Sequence, residues 1–130
     1  MNYDSDLESK LSLLYHSLRA TRRRYVVQFL KKTDSEKLTT RELARKITSL
    51  EEDVLECQAT GEPYRNVYNA LSQTHLPTLC DAKIIIYDPK RQIIIPDVYF
   101  ELTALLIDTN ATTVNIFSTL TSETGPKSDS

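Results

Sequence analysis

The chain has 130 residues, 40% apolar and 26% charged, with a formal net charge of −2. That is the size and mix of one globular domain with its own core, without a gross basic signature for nucleic acid. Gly61 and Gly125 are the two glycines, so no Gly-x-Gly-x-x-Gly or Walker-type loop can be written.

In chain order, Met1-Asn2-Tyr3-Asp4-Ser5-Asp6 is acidic and lacks the apolar stretch of a secretory signal. Leu7, Leu11, Leu14 and Leu18 recur at helical spacing, predicting an amphipathic helix that starts near Ser5 or Asp6. Val26, Phe29 and Leu30 predict a second helix from Thr21 to Lys32, with Thr21 as its candidate cap. Residues Thr33 to Lys37 read as a turn. Leu38-Thr39-Thr40-Arg41-Glu42-Leu43 opens a third helix. Thr39 or Thr40 caps it, Glu42 completes a capping box with Thr39, and Leu43, Ala44, Ile47 and Leu50 form its buried stripe. The acidic stretch Glu51 to Glu62 reads as a long connection with a short helical piece around Val54 and Leu55.

Pro63 suits the first turn of a fourth helix. Val67, Ala70, Leu71 and Thr74 fall on one side of it. Arg65, Asn69 and Ser72 fall on the other, flanked by Asn66, Tyr68 and Gln73. Pro77 has no amide hydrogen, which predicts a bend or restart. Ile84-Ile85-Ile86-Tyr87 and Gln92-Ile93-Ile94-Ile95 flank Asp88-Pro89-Lys90-Arg91. Two β-branched runs about an Asp-Pro turn predict a hairpin, with Pro89 at the second position of a type I turn. A last helix starts at Pro96-Asp97 and runs to about Ile107. It is apolar nearly all round, which predicts burial in the core or against a second subunit. Glu101 interrupts it, and it is too short to span a bilayer core of about 30 Å. Ala111 to Leu120 stays open between helix and strand.

The order of elements is that of a winged helix-turn-helix with an added C-terminal helix: mainly α with a small β-hairpin. The expected division is a DNA-binding domain over 1–96, a helical dimerisation segment over 97–120 and a disordered tail over 121–130. Charge is uneven. Arg19 to Lys32 holds six basic residues and no acid, while Glu51 to Glu62 holds five acids and no base. A local basic surface can bind phosphate on a slightly acidic chain.

Four strings resemble a known family. They are Arg22-Arg23-Arg24-Tyr25-Val26; Leu38-Thr39-x-Arg41-Glu42-Leu43-Ala44; Val67-Tyr68-x-x-Leu71-x-Gln73-Thr74-His75-Leu76-Pro77-x-Leu79; and Ile86-Tyr87-Asp88. Over about Leu7 to Ile95 the chain resembles a haloarchaeal winged-helix domain, often labelled a domain of unknown function or an arsenic-repressor-like regulator. The resemblance implies a DNA-binding transcription regulator of the archaeal cytoplasm; such regulators also occur in viruses and plasmids. Asp81-Ala82-Lys83 stands where that family commonly has a glycine, which would relieve the helix exit. The composition is also less acidic than typical halophile proteins, which favours a mobile-element or viral gene, with immunity- or lysogeny-type control.

On this plan, Tyr64, Arg65, Asn66, Tyr68, Asn69, Ser72 and Gln73 are the candidate DNA contacts of the major-groove helix. Arg suits guanine, and Asn or Gln suits adenine. Thr39, Thr40 and Arg41 stand at a helix N-terminus that can hold a phosphate, cap its own helix, or both. Lys90 and Arg91 form the wing tip. Arg22 and Arg23, with Arg24, either contact flanking phosphate or pair with Glu51, Glu52 and Asp53. Val98, Phe100, Leu102, Leu105, Leu106 and Ile107 are the candidate dimerisation residues. His75 reads as a structural hydrogen-bonding residue, with a pH-switch role as the alternative.

No nucleophile–base pair, zinc spacing or disulfide framework is legible; Cys57 and Cys80 stand alone. The expectation is no catalytic activity, metal, cofactor or small-molecule ligand, and a cytoplasmic homodimer on double-stranded DNA. Repression by occupancy is preferred because no activation domain is visible. The alternative is a winged-helix protein-interaction module without specific DNA binding.

Overall fold

The computed structural model describes residues 3–35, 37–109 and 119–120. The leucine spacing at the N-terminus forms α1 (Tyr3–Ser17), and the next apolar set forms α2 (Thr21–Lys32). Leu14, Leu18, Val26, Val27 and Leu30 from these segments are buried. Thr21 does not cap α2: Ala20 occupies the cap position, and the Thr21 hydroxyl instead accepts from the Arg24 guanidinium.

Leu38-Thr39 was read as the start of a helix. It forms a two-residue strand, β1 (Leu38–Thr39), before α3 (Thr40–Glu52) begins. The expected capping box is present at that junction. The Glu42 amide donates to Thr39 Oγ1 at 3.1 Å, and the Thr39 amide donates to Glu42 Oε1 at 2.9 Å. Such reciprocal bonds satisfy two orphan donors of the first turn. Leu43, Ala44, Ile47 and Thr48 make the buried face of α3, whereas Leu50 is exposed. Asp53 ends the helix in a left-handed conformation, and a 3₁₀ turn, Glu56–Gln58, leads to the next helix.

That helix restarts at Pro77, as expected, and a π-helical turn joins its two parts. It runs as α4 (Gly61–Ala70), a π-helical turn (Leu71–His75) and α5 (Leu76–Asp81). The Leu76 amide donates to Leu71 O, five residues back. In a regular α turn the Pro77 ring would meet the Gln73 carbonyl, and one hydrogen bond would be missing. The wider π turn moves the ring away from that carbonyl position. The Thr78 hydroxyl adds a bond to Thr74 O at 2.7 Å.

The helix ends where the resemblance calls for glycine. Lys83 takes that place with φ +61°. Ile84 N donates to Leu79 O and Lys83 N to Cys80 O, both at 3.0 Å. This is a Schellman ending with a lysine at the left-handed position.

The predicted hairpin is β2 (Ile85–Asp88) and β3 (Ile93–Pro96), paired from Ile85 with Pro96 to Asp88 with Ile93. β1 joins the other edge of β3, giving an antiparallel sheet of order β1-β3-β2. Ile85 and Ile94 face the core, while Ile86 and Ile95 face out. The chain is therefore mainly helical with a small antiparallel sheet, a winged-helix-like fold.

A last helix, α6, covers residues 100–109. Backbone bonds from Asp97 N to Ile84 O and from Tyr99 N to Lys83 O lead the chain into it, both 3.0 Å. The expected dimerisation set divides here. Phe100 and Ile107 are buried in the same cluster as α2, α3 and the sheet, together with Ala104, and Leu106 packs partly against it. Val98, Leu102 and Leu105 are 72%, 40% and 60% exposed. Phe100, Thr103, Ala104 and Ile107 recur at helical spacing, so one face of α6 completes the domain core and the other stays open. Residues 110–118, which the sequence left open, lie outside the described residues, as does the segment 121–130 read as a tail; residues 119–120 are helical. Among the described residues no helix is long and apolar enough to cross a membrane.

Candidate nucleic-acid interface

Helical spacing decides what α4 shows to solvent. Val67 and Leu71 are buried, which turns Arg65, Asn66 and Asn69 outward, and Gln73 is exposed on the π turn. Tyr64 and Tyr68 are half-buried one turn apart, with ring centroids 6.0 Å apart. Ser72 departs from the expectation. Its Oγ is buried and has no hydrogen-bond partner, so it is turned into the protein and does not reach outward with its neighbours.

The start of α3 is more occupied than the sequence implied. Thr39 is engaged in the capping box, and Thr40 is fully buried with its Oγ1 unpartnered. Arg41 is exposed. Of these three, Arg41 is the one that presents a free-standing cation to solvent. The wing tip is held by Asp88, whose Oδ1 accepts from Lys90 N at 3.0 Å and from Arg91 N at 3.3 Å. The Lys90 and Arg91 side chains are exposed, with Arg91 Nε only 3.9 Å from Asp88 Oδ2.

These three elements meet at Gln92. Its backbone carbonyl accepts from Thr40 N at 3.1 Å, at the start of α3. Its side-chain Oε1 accepts from the Tyr68 hydroxyl at 3.1 Å, on α4. Thr39, Arg41, Tyr68 and Gln92 line a cavity of about 220 Å³ at the junction. Sequence reasoning placed Tyr68 and Arg41 here but missed Gln92. The available signal was one polar residue between the turn and a run of three isoleucines.

The arginine run lies elsewhere. Arg22 makes a two-pronged bond to Glu51, Nε to Oε2 at 2.7 Å and Nη2 to Oε1 at 2.8 Å. This ties α2 to the end of α3, and it holds the Arg22 proton more tightly than usual. Arg23 Nε donates to Ser17 O at 2.6 Å, and Arg24 Nη1 donates to Leu18 O at 2.5 Å. The last carbonyls of a helix lack intrahelical donors, and basic side chains satisfy them here. Arg23 also donates from Nη1 to His75 Nδ1 at 3.3 Å. Because a guanidinium only donates, this assigns the neutral His75 proton to Nε2. Burial pushes the His75 pKa below its ordinary value, and the charges of Arg23 and Arg22 push the same way, partly opposed by Glu51. The expected pairing with the acidic stretch is present for Arg22 with Glu51, while Arg23 bonds to Ser17 O and His75 and Arg24 to Leu18 O and Thr21. Among the described residues no group of three or more His, Cys, Asp or Glu side chains is arranged to hold a metal ion.

A family model described as a domain of unknown function (DUF7344) matches residues 15–95, from the last turn of α1 into β3. No curated protein and no solved structure matches the chain.

Proposed function

The chain belongs to the DUF7344 family, and we propose that it is a sequence-specific DNA-binding regulator of the winged-helix type, a dimeric repressor acting near its own gene. The observation that supports this reading is the convergence at Gln92. An outward polar face of α4 (Arg65, Asn66, Asn69), a cationic wing tip (Lys90, Arg91) and the exposed Arg41 are linked through one residue. In a helix-turn-helix the second helix enters the major groove, and here that helix is α4. Arg65 suits a guanine edge and Asn69 an adenine edge. Arg41, Lys90 and Arg91 suit phosphate, which positions the protein without reading sequence.

The exposed Leu102 and Leu105, with Val98 in the turn before them, support dimerisation through the outer face of α6. Two copies would then read half-sites about one helical turn apart. Repression follows from occupancy of a promoter. The archaeal, cytoplasmic setting and the arsenic-repressor-like character come with the resemblance of the four strings.

The test is fluorescence anisotropy with DNA from upstream of the protein's own gene, against a scrambled competitor, over a salt series. The expected preference is about a thousandfold or more. With Arg41, Arg65, Lys90 and Arg91 as the contacting cations, log affinity should fall with log salt at a slope of about −3 to −4 per protomer. Arg65→Ala should weaken specific binding by about 1–3 kcal/mol and relax discrimination at one base pair. Equal binding to both sequences removes the operator reading. No binding at low salt overturns DNA recognition in favour of a protein-interaction module.

A further inference from the structure

We propose that Gln92 is a positioning residue that locks the wing onto the recognition helix through Tyr68, and so sets where Lys90 and Arg91 stand relative to Arg65 and Asn69. This rests on the DNA-binding reading of the same surface.

The backbone at Gln92 gives the first reason. Its φ of +59° lies in the left-handed region, which side chains other than glycine and asparagine rarely adopt. A hairpin foot that needed only the turn would suit glycine better. Glutamine there brings a side chain whose polar atoms are both engaged. Nε2 donates to Pro89 O at 2.8 Å, across the wing loop. A carbonyl oxygen can only accept, so this bond fixes which way the amide points. Oε1 then faces two phenols, accepting from Tyr68 at 3.1 Å and from Tyr87 at 3.5 Å.

The backbone of the same residue is also committed. Its N–H donates to Asp88 O at 2.7 Å and its carbonyl accepts from Thr40 N. One residue therefore joins β2, the wing loop, α3 and α4. The bonds at Lys90 and Arg91 are local and run to Asp88. They hold the shape of the tip but not its direction. The Tyr68–Gln92 bond spans from the wing to α4 and supplies that direction. A half-buried tyrosine one turn along from Arg65 and next to Asn69 is well placed to transmit it.

The test uses Gln92→Gly, which keeps the left-handed backbone free of strain and deletes the side chain, and Tyr68→Phe, which deletes one hydroxyl. Amide hydrogen exchange of the full chain without DNA reads the latch directly. Loss of one neutral hydrogen bond corresponds to about a fivefold shift in a local opening equilibrium. Both variants should speed exchange at Lys90, Arg91 and Gln92 by about that factor or more, with exchange in the α2–α3 core unchanged. A second readout separates positioning from simple support. Lys90→Ala/Arg91→Ala is measured on DNA in the native and the Gln92→Gly backgrounds. If the wing is aimed by Gln92, removing its charges should cost at least about threefold less affinity in the Gln92→Gly background. Unchanged wing exchange in Tyr68→Phe, which alters no backbone strain, overturns the latch. Equal costs in both backgrounds overturn its role in aiming the wing. A native protein that binds no DNA overturns the regulator reading instead, and the exchange result still decides the latch.

Discussion

Phe100→Ala asks whether α6 belongs to the domain or to a dimer seam. The Phe100 side chain is 2% exposed and lies in one cluster with Val27, Leu30, Ile84, Ile85 and Ala104. Truncating a buried phenylalanine loses its transfer free energy and leaves a cavity, about 3–5 kcal/mol in all. A domain of this size holds about 5–15 kcal/mol in total, so the loss is large enough to shift a denaturation midpoint well outside error. The control is Leu105→Ser on the opposite, 60% exposed face. It should change the stability of the chain by about 0.5 kcal/mol or less at concentrations where the protein is monomeric. Urea denaturation followed by far-UV circular dichroism, at two protein concentrations tenfold apart, separates the two effects because dimer linkage depends on concentration. If Phe100→Ala costs less than about 1 kcal/mol, or Leu105→Ser costs as much, then α6 is not held by the domain's own core.

Two further outcomes follow from backbone strain and from charge. Lys83→Gly should stabilise the protein by about 0.5–1 kcal/mol, since a left-handed lysine carries a steric penalty that glycine lacks; a lower midpoint in thermal or urea unfolding would refute the strain argument. His75 binds a proton less tightly in the folded chain than at its ordinary pKa of 6.5, because of burial and the neighbouring Arg23. Below that pH the unfolded chain holds more protons, so stability falls on acidification. Measured from about pH 8 to about pH 5, the stability difference between the native chain and His75→Asn should be flat at first and then shift against the native chain; a difference that stays constant throughout would count against it.

Local chemistry was legible where a single interaction decides the outcome. Thr39 and Glu42 at capping-box spacing gave the start of α3, and Asp88-Pro89 between β-branched runs gave the wing. The π turn that joins α4 to α5 was not legible, although the restart at Pro77 was. Pro77 normally ends or bends a helix, and what carries the chain through it is an inserted π turn that depends on packing of Leu71, Leu76 and Leu79 into the core. β1 was missed because two residues have no periodicity, and its pairing partners Ile93 and Ile94 lie more than fifty residues away. For α6, an all-apolar pattern shows that burial is wanted but not which face finds the core first. At the candidate interface, Arg65, Asn66, Asn69, Lys90 and Arg91 stand exposed as the pattern implied, while Ser72 and Thr40 turn inward. Their faces depend on the π turn and on the pairing of β1 with β3, neither of which has a sequence signature.

Charge misleads when it is counted along the chain and not by partner. The densest basic segment, Arg19 to Lys32, looks like the natural phosphate surface. Yet Arg22 is bound to Glu51, Arg23 and Arg24 close the end of α1, and Lys31 meets Glu101 at 2.6 Å. Glu51 offsets the Arg22 charge, and Arg23 and Arg24 commit part of their N–H donors to helix carbonyls, which leaves less of the run's charge and donor capacity for a phosphate. Among the described residues, Arg41 lines the cavity at Gln92, and Arg65, Lys90 and the loosely held Arg91 are exposed on α4 and the wing; Arg19, Lys32, Lys37, Arg45 and Lys83 are exposed elsewhere on the chain. Counterion release from four contacts per protomer, at Arg41, Arg65, Lys90 and Arg91, would give a slope of about −3 to −4, doubled in a dimer. On the proposed DNA-binding reading, sequence preference comes from base edges facing Arg65 and Asn69. The direction of the wing, and hence the residue that fixes it, then matters more than the number of charges the chain carries.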